Sequence, residues 1–306
     1  MSVIVFGHKS PDTDSICSAI AVADLKSKTG VDSKPATQGE LTPESKFVLD
    51  KFGVSYPETI TSVAGQKVIL VDHSDLAQSP DDLKDAEILG IIDHHKLGDV
   101  TTPNPLECWI WPVGCTCTVI KAMYEFYGVE IPKNIAGIML CSILSDTVIF
   151  KSATCTQDDK KAAEDLAKIA DVSDITSLGM EMFKVKSAVD QDTPRDILFR
   201  DFKDFDMAGN KVGIGQVEVV DLSIIEPIKD SLYEEMKKVK EEANRNAVYF
   251  MLTDIMKEGT ELLVLADDTS PVQKAFGKEV DGRSVWLDGV MSRKKQVVPN
   301  FEKAYG

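Results

Sequence analysis

All four histidines of this chain stand within a few residues of an aspartate, in Gly7-His8-Lys9-Ser10-Pro11-Asp12-Thr13-Asp14, Asp72-His73 and Asp93-His94-His95. Imidazole nitrogens and carboxylate oxygens together hold divalent cations, and they also exchange protons in hydrolysis. In the first segment a D-x-D pair on an irregular backbone can turn its carboxylates toward two neighbouring cations. Helix capping is the simpler role for Asp12 and Asp14, but capping needs one aspartate and no histidine. Asp72 directly follows an apolar run and can bridge a pair of ions, one oxygen to each. His73 reads as a solvated loop residue. Adjacent side chains on an extended backbone diverge, so His94 can ligate a metal while His95 faces a substrate. Asp93 is then placed to orient a ring. Asp146 is a carboxylate at the end of an otherwise apolar helical stretch. His8, Asp12, Asp14, Asp72, His94 and Asp146 make an oxygen-rich set suited to Mn²⁺ or Mg²⁺. Cys115-Thr116-Cys117 lacks the spacing of a structural zinc site and is assigned no metal.

The elements around these residues must bring them together. Residues 3–6, 68–71 and 88–92 are short, β-branched-rich runs, each followed by one of the polar clusters, with helical patterns at 15–28 and 45–52. This alternation predicts βαβ units and a mainly parallel sheet, in which ligands gather at the carboxyl ends of the strands. His8, Asp72 and Asp93 would then arrive at one end from three different strands. A buried helix is expected over 135–149, ending near Asp146, and another over 157–170. From 186 to 194 the periodicity fails and the chain turns polar, as a linker does. Beyond it, strand-like runs at 212–220, 248–253, 261–266 and 284–287 and a charged helix at 231–244 predict a smaller α/β domain. The expected fold is therefore α/β, with a metal-binding domain at 1–187, a flexible linker at 188–194 and a second domain at 195–306. Residues 237–242 read as a solvated helix face.

Composition narrows the function. The 306 residues are 43% hydrophobic and 27% charged, with a net charge of −16, which argues against general nucleic-acid binding. No apolar run reaches the ~20 residues of a membrane span, and the sequence opens on a strand rather than a signal segment. Six cysteines without disulfide spacing predict free thiols in a reducing cytoplasm. So acidic a chain can hold a polyanion only with metals and a few placed cations. Ser292-Arg293-Lys294-Lys295-Gln296 supplies three consecutive cations. Its setting between Gly289 and Val297-Val298-Pro299 predicts an ordered loop.

The His8…Asp12-x-Asp14 loop, Asp72 and Asp93-His94-His95 resemble the DHH phosphoesterase superfamily in order and spacing. Within it, Ser292 to Pro299 resembles the C-terminal domain of family II, manganese-dependent inorganic pyrophosphatases, and the Gly-Gly-Gly-His-type motif of DHH nucleases does not occur. The resemblance implies a DHH domain followed by a DHHA2-type domain, with the active site in the cleft between them. It implies hydrolysis of pyrophosphate by a hydroxide held between two metals. One metal would be held by His8, Asp12 and Asp72, the other by Asp14, Asp72, His94 and Asp146. His95, Lys203, Arg293 and Lys294 would contact the phosphates. Two Mn²⁺ per subunit are implied, replaceable by Co²⁺ or Mg²⁺, with a further Mg²⁺ arriving on the substrate. A homodimer through the first domain is implied as well. The nearer alternative is an exopolyphosphatase or phosphodiesterase on the same scaffold. The farther one is a non-catalytic metal- or nucleotide-binding regulator, although the stretch between His8 and residue 68 is too short for a nucleotide-sensing insert.

Overall fold

The three apolar runs that precede the aspartate–histidine clusters are strands of one sheet in the computed structural model, which describes residues 2–152, 154–186 and 192–306. Two units divide the chain, Met1–Lys186 and Ser187–Gly306. In the first, β1 (Val3–Phe6), α1 (Thr13–Lys28), β2 (Ser33–Thr37), α2 (Pro43–Phe52), β3 (Glu58–Thr59), β4 (Lys67–Val71), β5 (Glu87–Asp93) and β6 (Glu107–Ile110) follow one another. Four helices come next: α3 (Thr116–Tyr127), α4 (Lys133–Asp146), α5 (Gln157–Ala170) and α6 (Ile175–Lys186). The strands lie in the order β3-β2-β1-β4-β5-β6 and every pair is parallel. Chain order runs outward in opposite directions from β1 and β4, so the switch point of the sheet lies between them. The loops leaving their carboxyl ends, where such sheets bind ligands, carry His8 and Asp72.

Helix α4 is buried from Ile135 to Ser145 because it packs against α1, α2, α3, α5 and α6. That explains a sequence with no polar stripe. The helix ends at Asp146, as the sequence predicts, and the apolar residues that follow to Ile149 continue in a non-helical turn. Val148, Ile149 and Phe150 take positive φ values of 50°, 50° and 66°. Such residues cost on the order of 1–3 kcal/mol each in this region unless their surroundings hold them there. Here the Ile149 amide donates to the Leu144 carbonyl (2.9 Å), the Ser152 amide to the Thr147 carbonyl (2.8 Å) and the Phe150 amide to Thr147 Oγ1 (3.2 Å).

The second unit comprises α7 (Pro194–Phe199), β7 (Phe202–Met207), β8 (Asn210–Val219), α8 (Lys229–Glu242), β9 (Ala247–Asp254), β10 (Gly259–Ala266), α9 (Ser270–Phe276), β11 (Ser284–Asp288) and α10 (Val298–Tyr305). Its sheet runs β11-β10-β9-β8-β7, parallel only between β8 and β9, the pair that α8 connects. Strand β9 is buried along its whole length, with alternate residues serving two cores. Val248, Phe250 and Leu252 pack with Leu232, Met236 and Val239, while Tyr249 and Met251 pack with Val272, Val297 and Phe301.

Two expectations need correction. Of the linker expected at 188–194, residues 188–191 lie outside the described residues, and its end is not loop. Thr193 forms a capping box with Asp196, and Pro194 opens α7, a position where its missing N–H costs nothing. The loop expected around 292–299 is instead a π-helical turn, Arg293–Val297, running into α10. The Ser292 hydroxyl accepts from the Lys295 amide (3.2 Å) and its carbonyl from the Gln296 and Val297 amides. Pro299 sits in the first turn of α10, where it is tolerated.

The loop after β5 depends on a close approach at Gly98, where a Cβ would lie 2.2 Å from the Ser74 carbonyl oxygen. Gly98→Ala should therefore destabilise the protein by about 1–3 kcal/mol. Denaturant unfolding would register this as a lower midpoint with an unchanged slope.

Candidate metal centre

His8 reaches the site across Gly7, where a Cβ would lie 1.8 Å from Ser15 Oγ, so only glycine lets this loop close onto the start of α1. Asp12 both caps and faces the cavity. Its Oδ1 accepts from the Ser15 amide (2.9 Å), and its Oδ2 lies 3.6 Å from His8 Nε2. Asp14, in the first turn of α1, is fully buried. Its Oδ1 accepts from Ser18 Oγ (2.9 Å), Cys115 Sγ (3.1 Å) and Ser142 Oγ (2.6 Å), and its Oδ2 from the Thr116 amide (2.8 Å).

Asp72 follows β4 with φ 61°, a left-handed backbone that aspartate tolerates better than most residues. From there its two oxygens diverge: Oδ2 lies 3.3 Å from His8 Nε2 and Oδ1 lies 3.5 Å from His94 Nε2. His94 Nδ1 is bonded to the Val113 carbonyl (3.0 Å), which sets the tautomer and leaves Nε2 for a ligand. That nitrogen is 3.8 Å from both Asp14 Oδ2 and Asp146 Oδ2. Asp93 orients the other ring of the pair, His95, whose Nδ1 lies 2.9 Å from Asp93 Oδ1. The same oxygen accepts from the amides of His94 and His95. His73 is not solvated as the sequence suggested. The chain folds back over it at 74–79, so it is buried, with Nδ1 on the Val71 carbonyl and Nε2 on Ser79 Oγ. Burial lowers its pKa to about 4 and keeps it neutral.

All six ligand-type residues named from the sequence thus converge, and Asp72 lies between two sub-clusters, His8–Asp12 on one side and Asp14–His94–Asp146 on the other. Five of them, with His95, line one cavity of about 410 Å³. Lys203 on β7 and Lys294 on the π turn are exposed, whereas Arg293 is buried; all three belong to the second unit. Sequence reasoning missed Thr116, Ser142 and Cys115, which hold Asp14 in place. The Ser142 hydroxyl, the Cys115 thiol and the Thr116 amide carry no sequence pattern that would mark them.

The electrostatics describe a site with a cation deficit. Burial, then the neighbouring Asp14 charge, lifts Asp72 to about 6. Burial and the charges of Asp14 and Asp72 push Asp146 well above the usual carboxylate range. Burial opposes charge on the imidazoles too, but hydrogen bonds to Asp12 and Asp72 outweigh it and carry His8 up to about 10. Asp72 and Asp14 likewise carry His94 up to about 9 against burial. Asp14 stays ionised despite burial because His94, Ser142 and the Thr116 amide stabilise its charge. Among the described residues no lysine or arginine pairs with Asp12, Asp14, Asp72 or Asp146; only imidazoles do. Protons therefore do the neutralising that two divalent cations would do, and the donor set fits hard divalent metals.

A doubly wound sheet carrying this carboxylate–imidazole cluster at its switch point, followed by a second α/β unit, defines the two-domain DHH class. Residues 2–143 match the DHH family, N-terminal domain, and residues 180–304 match the DHHA2 domain. The chain is 58% identical to the "Probable manganese-dependent inorganic pyrophosphatase" of Archaeoglobus fulgidus, across 99% of this chain and 98% of that protein. It is 46% identical to the manganese-dependent inorganic pyrophosphatase of Methanothrix thermoacetophila, across 99% and 98%. The crystal structure of a candidate family II inorganic pyrophosphatase from Methanococcus jannaschii superposes with a TM-score of 0.66 at 47% identity, covering 100% of this chain and 99% of that one. The chain belongs to the manganese-dependent inorganic pyrophosphatase family.

Because the raised pKa values of His8 and His94 favour their protonated forms near neutrality, a metal that took both rings as ligands would displace a proton from each. Apparent Mn²⁺ affinity should rise as pH climbs from 6.5 to 8.5, by up to about tenfold per unit for each displaced imidazolium proton. Calorimetric titrations in buffers of differing ionisation enthalpy would report the released protons. Affinity that is flat with pH would mean that these imidazoles do not ligate.

Proposed function

We propose that the chain hydrolyses inorganic pyrophosphate to two phosphates, using manganese. The observation that carries this reading is the divergence of the two Asp72 oxygens toward separate His–Asp sub-clusters, in a chain whose family relatives are pyrophosphatases over their full length. His8, Asp12 and Asp72 would hold one Mn²⁺, and Asp14, Asp72, His94 and Asp146 a second, with Co²⁺ or Mg²⁺ as substitutes. When bound, such a pair lowers the pKa of water and supplies positive charge to phosphoryl oxygens.

The chain's own residues do the rest. Asp72 fixes the spacing of the two sub-clusters. His95, with Nδ1 committed to Asp93 and its ring half exposed, keeps Nε2 for a phosphate oxygen. The Asp93 hydrogen bond raises its pKa, so it can present positive charge. Lys203, Arg293 and Lys294 would neutralise the remaining phosphate charge, and a further Mg²⁺ would arrive with the tetraanion. We also propose that the protein acts in the cytoplasm, since all six cysteines are free thiols. Among the described residues no helix is long and apolar enough to cross a membrane.

Pairing of two copies through the first unit belongs to the same reading. β6 is an edge strand with one side unpaired, and such edges are normally covered. Trp109 on this strand forms a chain of ring contacts with Trp111, Phe126 and Tyr127 beside it, with Phe126 71% exposed. A cluster of this kind exposes apolar area that an interface would bury.

Phosphate release should be far faster from pyrophosphate than from tripolyphosphate or a short oligonucleotide. It should vanish on chelation and return with Mn²⁺. Asp72→Ala should lower turnover by at least about 100-fold, more than loss of an outer-shell group costs. Comparable turnover of tripolyphosphate or of the oligonucleotide would move the reading to an exopolyphosphatase or a phosphodiesterase. For the dimer, sedimentation at micromolar concentration should show two copies together, and Phe126→Glu should shift the protein to a single copy.

A further inference from the structure

The guanidinium proposed to meet phosphate is buried and already engaged. Arg293 Nη1 donates to the carbonyls of Asp201 and Ile214, and Nη2 donates to the Asp201 carboxylate. The side chain is only 9% exposed, whereas Asp201 is 53% exposed. Arginine has five N–H donors, so three are committed here. The Nε–H and one Nη2–H remain, a pair able to fork onto two oxygens of one phosphate. The backbone is pinned as firmly. The Arg293 amide donates to Gln216 Oε1 (3.3 Å), and Gln216 Nε2 donates to the Met291 carbonyl (2.9 Å) and Thr253 Oγ1 (3.1 Å). The Gln216 amide in turn donates to the Asp201 carbonyl (2.9 Å). Asp201 therefore touches Arg293 through both its carboxylate and its carbonyl, and it joins the 291–293 segment to the start of β7.

A carboxylate beside an anion-binding arginine weakens the local positive field. Its presence is intelligible if orientation counts for more than charge. We propose that Asp201 is a positioning residue for the pyrophosphate reaction: it fixes the Arg293 guanidinium so that the free Nε/Nη2 edge is presented in one orientation. This rests on the reading of Arg293 as a phosphate contact. The side chain would otherwise sample many rotamers, and ordering it would fall on substrate binding.

The test uses full-length Mn²⁺-loaded protein with pyrophosphate as the probe. Asp201→Ala should raise KM roughly tenfold and change kcat less, as loss of a charge-assisted contact does. Mn²⁺ affinity in the first unit should be unaltered. Asp201→Asn keeps an oxygen acceptor and should return KM to within about threefold of the wild-type value. Placed on an Arg293→Lys background, Asp201→Ala should add nothing further, since Asp201 acts through the guanidinium. If Arg293→Lys alone left KM unchanged, the reading of Arg293 would fail and this inference with it. If Arg293→Lys were impaired while Asp201→Ala matched wild type, or if the two effects simply added, only the positioning role would be overturned.

Discussion

Four carboxylates gathered from the loop before α1, from α1 itself, from the end of β4 and from the end of α4 repel strongly, and the burial of Asp14 and Asp72 sharpens the repulsion because little water remains to screen it. In this protein the cost is met in part by protons: two imidazoliums are retained near neutrality, Asp72 is lifted to about 6, and Asp146 is driven higher still. Such an arrangement persists only if the scaffold is stiff enough to hold it. The all-parallel sheet, α4 with its buried stretch from Ile135 to Ser145, and the four donors around Asp14 are that scaffold. The site and the fold are thus solutions to one electrostatic problem.

The same logic separates the tasks of the two units. The first concentrates negative charge and therefore selects cations. The second places exposed Lys203 and Lys294 and the buried Arg293 among ordinary surface carboxylates, and so suits a ligand that carries its own negative charge. A chain with a net charge of −16 can take a polyanion only where local charge runs against the total.

Much of this was legible in the sequence, for identifiable reasons. The strands bearing His8, Asp72 and Asp93 announced themselves because central parallel strands are short continuous apolar runs, and their ends carried unusual chemistry. Helix α5 could be bounded at Gln157 and Ala170 because its apolar residues keep a helical period. By contrast β2 (Ser33–Thr37) holds a proline and three polar residues, and β6 is half exposed, so neither has a strand-like pattern. The hydroxyl and amide donors to Asp14 lie as far as 128 residues away. The Arg293–Asp201 pair spans 92 residues, and no local signal reports a contact of that kind. The π turn escaped notice because three cations in succession between Gly289 and Val297-Val298-Pro299 read as an ordered loop and show no helical period.

The left-handed turn at Val148–Phe150 bears on how the family's length can vary. Each residue of an α-helix advances the side-chain direction by about 100°, so Ser142, which supports Asp14, and Asp146 share a face only because four residues separate them. The turn that follows stops the helix immediately after Asp146 and allows no extra residue to slip in. Helix α4 therefore acts as a ruler of fixed length between the inner support of the site and its rim. A change of length in the connection before it, around 128–132, would leave the angle at which Asp146 is delivered unaltered.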